Sequence, residues 1–191
     1  MSDRARPAQR ARTTEEKLRA VTVGELQPLS GPILLADYDP NWPAQFEREA
    51  ERVRADLGAR ALRIEHVGST SIPGLAAKPI IAVLLVVKDA TDEGAFVPAL
   101  EAAGYRLRIR EAEHRMLKGP DTDVNLHVFS AGHPGVDRML RFRDRLRAAP
   151  ADRELYLRTK HELAKRRWRY VQNYSPADGS SDKAREELGC W

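Results

Sequence analysis

Between two apolar runs, the segment His66 to Val87 places Gly68, Ser69 and Thr70, the residue types best suited to holding an oxyanion. Glycine lets the backbone approach a ligand closely, and hydroxyls beside unpaired amide donors suit a phosphate. The same turn also serves to cap a helix with no ligand at all. Lys78 follows before the second run and would neutralise phosphate charge. Further on, Asp123, Asn125 and His127 share one face of an expected strand, with Val124, Leu126 and Val128 on the other. His127 reads either as a core histidine bonded to backbone or as a pocket residue, where ligand contact suits it better than metal ligation.

These residues need a frame. Ile64 to Val67 reads as the end of a strand and Pro79 to Val87, nearly all β-branched or leucine, as a central strand buried on both faces. A short strand is expected at Ile33 to Ala36 and a helix over Ala44 to Leu57, with Phe46, Ala50, Val53 and Leu57 on one side. A helix over Thr91 to Ala103 should end at Gly104 in a left-handed cap. Tyr105 to Ile109 and His114 to Lys118 read as a strand pair, and Gly119-Pro120-Asp121 turns into Val124 to Phe129. Val136 to Ala149 is a basic helix with Met139, Phe142 and Leu146 as its seam, and Arg138, Arg141 and Arg145 on a neighbouring, ordinarily solvated face. Pro150 separates it from a helix reaching about Tyr170, on which Lys160 alone reads as a surface lysine. The fold class is α/β (α+β): a mixed central sheet, helices packed mainly on one side, and the Gly68 turn opening the cleft.

At the N-terminus, residues 1–12 are arginine-rich and nearly devoid of apolar side chains, which predicts disorder. Thr13 and Glu16 form a capping box for a short helix. The expected organisation is a leader over 1–30, a single domain over 31–175 and a tail over 176–191.

A chain of 191 residues with 42% apolar content buries one good core. Its 32 basic and 28 acidic residues leave a net charge of +4, too mild to favour nucleic acid while permitting it. Lys165 to Tyr170 mixes bases with aromatics as an RNA-binding strip does, although Trp168 at a seam position also reads as core. The lone Cys190 fits a reducing compartment, and no apolar stretch approaches the length of a membrane span, so no membrane partner and a cytoplasmic location are expected. The histidines have no zinc-ligand spacing, and no Walker loop, dinucleotide fingerprint or nucleophile elbow occurs.

Several motifs in order give a more specific signal. The Gly68 segment, Asp37-Tyr38-Asp39-Pro40-Asn41-Trp42-Pro43 upstream, and Asn125-Leu126-His127-Val128-Phe129, Arg141 to Arg147 and Tyr156 to Ala164 downstream together resemble the GrpB (UPF0157) family. That resemblance implies a nucleotidyltransferase-like fold of the polymerase-β superfamily, in which a Gly-Ser turn grips a triphosphate and acidic residues on the next strand hold magnesium. It implies a nucleoside triphosphate and Mg²⁺ as cofactors and a nucleotide or phosphorylated small molecule as partner. Gly68, Ser69, Thr70, Asn125, Arg141, Arg143 and Lys160 would bind it, with His127 and Lys78 in catalytic roles. The chain departs from the family pattern where Lys-Pro-Ile-Ile-Asp is usual: the Asp position is Ala82, and Leu84 follows on the same strand face. A methyl cannot bind magnesium, so no metal ligand is expected. The loop Arg110 to Arg115 also looks short against relatives, which suggests a trimmed lid. The implied function is a nucleotidyltransferase-like protein; the alternative is a non-catalytic module for a nucleotide, a phosphometabolite or RNA. A transferase of other chemistry on this scaffold is the more remote reading.

Overall fold

Strands with opposite apolar faces need cover on both sides, and the arrangement around the central strands follows from this. The computed structural model describes residues 15–28, 31–121, 123–166 and 169–170. The arginine-rich start, Thr13 of the capping box, Trp168 and the C-terminal tail lie outside the described residues. In chain order the elements are α1 (15–21), α2 (Trp42–Leu57), β1 (Arg63–Val67), β2 (Ile81–Val87), α3 (Val97–Ala102), β3 (Arg106–Arg110), β4 (His114–Lys118), β5 (Val124–Ser130), α4 (Pro134–Ala148) and α5 (Pro150–Ala164). The sheet runs β1-β2-β5-β4-β3, with β2 and β5 parallel and the other pairs antiparallel.

Ile81, Val83, Leu85 and Val87 of β2 and Val124, Leu126 and Val128 of β5 point into one core, against Phe46, Ala50, Val53 and Leu57 of α2 and Val97 and Leu100 of α3. Leu84 and Val86 point the other way, toward Val136 and Leu140 of α4, so β2 is buried on both faces as its composition predicts. Each such leucine contributes about 2 kcal/mol by leaving water. α4 covers that second face at its β1–β2 end, while α5 packs on the C-terminal half of α4 and on the turn after β1 through Leu146, Tyr156, Ile72 and Leu75.

Several boundaries differ from the sequence expectation. The helix expected from Thr91 shrinks to a 3₁₀ turn at Glu93–Ala95 followed by α3, because Pro98 lacks an amide proton and is tolerated only in a first turn. Gly104 does close it in the left-handed region, at φ 94°. Ile33 to Ala36 supplies no full strand, only a bridge from Ala36 to Ala77. The last helix ends at Ala164, short of Tyr170. After α1, Thr22 bridges to Ile109, covering the exposed edge of β3. Among the described residues no helix is long and apolar enough to cross a membrane.

Candidate functional site

The turn after β1 sits directly over β2. Gly68 holds φ 69° and ψ −175°, a conformation open to glycine and strained for other residues. A Cβ added there would lie 3.0 Å from the Cβ of Ala82. Gly68 therefore serves close approach as well as chain reversal. Ser71 Oγ donates to the Gly68 carbonyl at 2.6 Å and tightens the turn. Thr70, 1% exposed, is used internally: its Oγ1 lies 3.1 Å from His66 Nε2 and 3.4 Å from the Ile80 carbonyl oxygen.

Ser69 faces α5. Lys160 Nζ donates to Ser69 Oγ at 2.8 Å and to the Ala76 carbonyl at 3.3 Å, and lies 5.3 Å from the Tyr156 ring centre. The Tyr156 hydroxyl is itself 3.2 Å from Ser69 Oγ. Lys160 is only 2% exposed, so the surface reading of this residue is corrected: α5 turns it inward onto the Gly68 turn. The packing of Tyr156 and Leu163 beside it explains why, since both belong to the buried stripe of α5. Burying an ammonium is costly, and a group kept in such a place brings fixed positive charge to the turn.

Across the sheet, register sets the rest. Ala82 pairs with Asn125 and Leu84 with His127, while Asn125 in turn pairs with Lys118 and His127 with Met116. Ala82, Asn125 and Lys118 thus form a row leading away from the Gly68 turn on one face. Asn125 Oδ1 is buried without a hydrogen-bond partner among the described residues. Burial and then the nearby charge of Lys78 lower the pKa of Lys118, so two cations converge at this end of the row.

His127 continues the same face. Its Nδ1 is 3.2 Å from Nε2 of His114, and Nδ1 of His114 is 2.7 Å from the Glu111 carboxylate. Burial, then His114 and Lys118, push His127 down to about 3, so it is neutral at pH 7. The hydrogen bond to His114 holds the Glu111 carboxyl below its usual range, against the opposing effect of burial.

The arginines of α4 divide. Arg143 donates to Glu65 Oε2 at 2.8 Å, to the His66 carbonyl at 3.1 Å and to Asp144 at 2.8 Å, fastening α4 to β1. Arg141 has a side chain 70% exposed and faces Asp137 at 3.6 Å on its own helix. Of the residues expected from sequence, Ser69 and Lys160 meet at the Gly68 turn, Gly68 touches Ala82, the strand partner of Asn125, and His127 follows Asn125 on the same strand face, while Lys78 acts electrostatically on Lys118. Thr70 and Arg143 are engaged in holding the frame, and Arg141 stands outside. Sequence reasoning missed Tyr156, Lys118, Glu111 and His114. A histidine on each of two strands joined by an expected turn was the signal for the last, yet their juxtaposition depends on a pairing and register that the turn between them hides.

A magnesium ion at such a turn requires carboxylates, and the facing positions hold Ala82, Leu84 and Asn125. Among the described residues no group of three His, Cys, Asp or Glu side chains is arranged to hold a metal ion. The residues present do not fit the ion.

Comparison with known proteins agrees with this architecture. A UPF0157 protein of Halalkalibacterium halodurans is 59% identical over 87% of each chain. The crystal structure of the conserved protein GrpB from Enterococcus faecalis superposes with a TM-score of 0.70 at 32% identity, over 81% of this chain and 96% of that one. The Cid1 poly(U) polymerase with Mg and 3′-dATP bound shares the fold at a TM-score of 0.53 and 13% identity, over 91% of this chain and 53% of that one. The fold is thus that of nucleotidyltransferases. The model of the GrpB protein family matches residues 32–180, and the chain belongs to that family.

Proposed function

We propose that the protein binds a nucleotide or another phosphorylated small molecule at the Gly68-Ser69-Thr70 turn, on a nucleotidyltransferase-like scaffold that lacks the usual magnesium ligand at Ala82. The observation that carries this reading is the buried Lys160 ammonium, 2.8 Å from Ser69 Oγ beside the Gly68 backbone. A hydroxyl held by a lysine, next to a backbone with no Cβ in the way, is a phosphate seat that needs no metal. Lys78 and Lys118 lie where further phosphate oxygens would extend along the sheet, and Asn125 adds an amide. Arg143 acts on the ligand only through the position of α4, and the reducing compartment suited to a lone cysteine fits a cytoplasmic phospho-ligand.

Ala82 and Leu84 favour a second reading, a non-catalytic module that keeps the phosphate seat. Calorimetric titration of ATP, with and without Mg²⁺, into this chain and into Ala82→Asp separates the two. Binding of ATP in the absence of metal, lost at least tenfold in Lys160→Met, is the result expected. Unchanged binding in Lys160→Met overturns the site. Turnover that appears only in Ala82→Asp with metal marks a lost enzyme; turnover by the unaltered chain without metal marks an enzyme that works without the ion; equal binding without turnover in both marks the module.

A further inference from the structure

Glu111, His114 and His127 make a continuous hydrogen-bonded chain that the phosphate seat does not use. The imidazoles lie 8° from parallel with centroids 5.4 Å apart and nitrogens 3.2 Å apart, the spacing of an N–H···N bond in the plane of both rings. An ionised carboxylate only accepts, so Glu111 fixes the proton of His114 on Nδ1. With His114 neutral, its Nε2 is a lone pair and His127 must donate from Nδ1. The lone pair of His127 is then on Nε2, for which no partner is recorded among the described residues. Leu84 and Met116 flank His127 on the neighbouring strands, and Asn125, two residues along the same strand, faces the Gly68 turn through Ala82.

We propose that Glu111–His114–His127 is a proton relay that makes His127 Nε2 the base toward a hydroxyl attacking the bound phosphoryl group. This rests on the phospho-ligand reading above. The attacking oxygen loses its proton to Nε2 while its electron pair forms the new bond to phosphorus, and the bond to the leaving phosphate oxygen breaks. At the same time His127 gives its Nδ1 proton to His114 Nε2. His127 stays neutral, as its burial requires, and the positive charge comes to rest on His114 beside Glu111. The charged and titratable groups around the chain are Lys118, next to His127, and His133 from the start of α4, whose ring stacks on Phe129. The relay performs by proton transfer what a carboxylate-bound metal does for the nucleophile elsewhere.

Two measurements on the full chain test it. Ring ¹⁵N spectra between pH 5 and 9 should show His127 neutral throughout with its proton on Nδ1, and in Glu111→Gln, whose side chain donates as well as accepts, the His114 proton should no longer be confined to Nδ1. A proton on His127 Nε2 at pH 8, or a His114 tautomer unmoved in Glu111→Gln, overturns the relay. Pyrophosphate release from ATP in EDTA, with water as the attacking hydroxyl, should fall at least tenfold in kcat in His127→Ala and several-fold in Glu111→Gln, with KM for ATP unchanged. Bound ATP without turnover in the native chain, or turnover unaltered in both variants, overturns the base assignment. Absence of ATP binding overturns the ligand reading instead, and the ring spectra, which need no ligand, then decide the relay alone.

Discussion

On the face covered by α2 and α3, β2 and β5 present Val83, Leu85, Val87, Leu126 and Val128 without one polar atom; on the opposite face the same strands present Ala82, Leu84, Asn125 and His127. Both faces are assembled by the same backbone hydrogen bonds and differ only in what alternates outward. The first face gains from filling space. The second leaves a buried Asn125 oxygen without a partner among the described residues and places cations around a turn whose Cβ-free residue touches β2. An unpaired buried acceptor costs free energy that an apolar residue would not, so the polar face is kept at the expense of stability.

That comparison is broken most forcefully by truncation on the apolar face. Leu85 is fully buried, so Leu85→Ala should cost about 3 kcal/mol by lost transfer energy and the cavity left behind. Urea unfolding measures this, and the folded fraction should keep its affinity for ATP. A loss of affinity without a loss of stability would show that the two faces are not separable.

One histidine on each face stays neutral, and pH probes both. His66, stacked on Phe46 at 4.7 Å, is pushed down to about 4 by burial and then by Arg147 and Arg143. Its folded value is below the unfolded value near 6.5, so the unfolded chain binds more protons between the two. Stability from this group is therefore full above pH 6.5, falls as pH drops toward 4 and levels off below, about 3 kcal/mol in all. His127, pushed down to about 3, adds a loss of the same sign. Urea midpoints from pH 7.5 to 4.5 should slope accordingly, and His66→Phe should flatten part of the slope. An identical slope in that variant would mean that burial of His66 does not set it.

Closer to the seat, Gly68→Ala combines a strained φ with a Cβ 3.0 Å from Ala82, and should cost about 1–3 kcal/mol. It should also lower ATP affinity more than Leu85→Ala does, since the turn must shift. Ser69→Leu disrupts more than an exposed loop change: Ser69 is half-buried and holds both Lys160 and Tyr156, so loss of binding there should come with some loss of stability.

Much of the frame was legible in the sequence because strong periodicity and turn residues agreed. The β2 strand, the stripe of α2 and the left-handed Gly104 all follow from patterns within a few residues. The Gly68 turn was legible for the same reason. What stayed hidden depends on contacts between distant segments. Lys160 reaches Ser69 across 91 positions, and no local pattern distinguishes it from a solvated lysine. The pairing of His114 with His127 needs the register of β4 on β5, which the turn through Pro120 leaves open. Arg143 and Arg141 occupy the same basic helix two residues apart, and only the docking angle of α4 tells which one meets β1.

That last contrast gives the smallest expected effect and the sharpest limit on the site. Arg141→Ala removes an exposed cation whose ion pair with Asp137, at 3.6 Å, lies on the surface of its own helix. Such pairs contribute little in water, so stability should change by less than about 0.5 kcal/mol. ATP affinity should also stay within about twofold, because a screened charge on the outward side of α4 does not reach a ligand seated between Ser69 and Asn125. Arg143→Ala differs, since it leaves the half-buried Glu65 without one of its two arginines and frees α4 from the His66 carbonyl. Calorimetry on the two variants side by side makes the measurement. A large loss of affinity in Arg141→Ala would move the ligand onto the outer side of α4 and away from the Gly68 turn, where Lys160 meets Ser69.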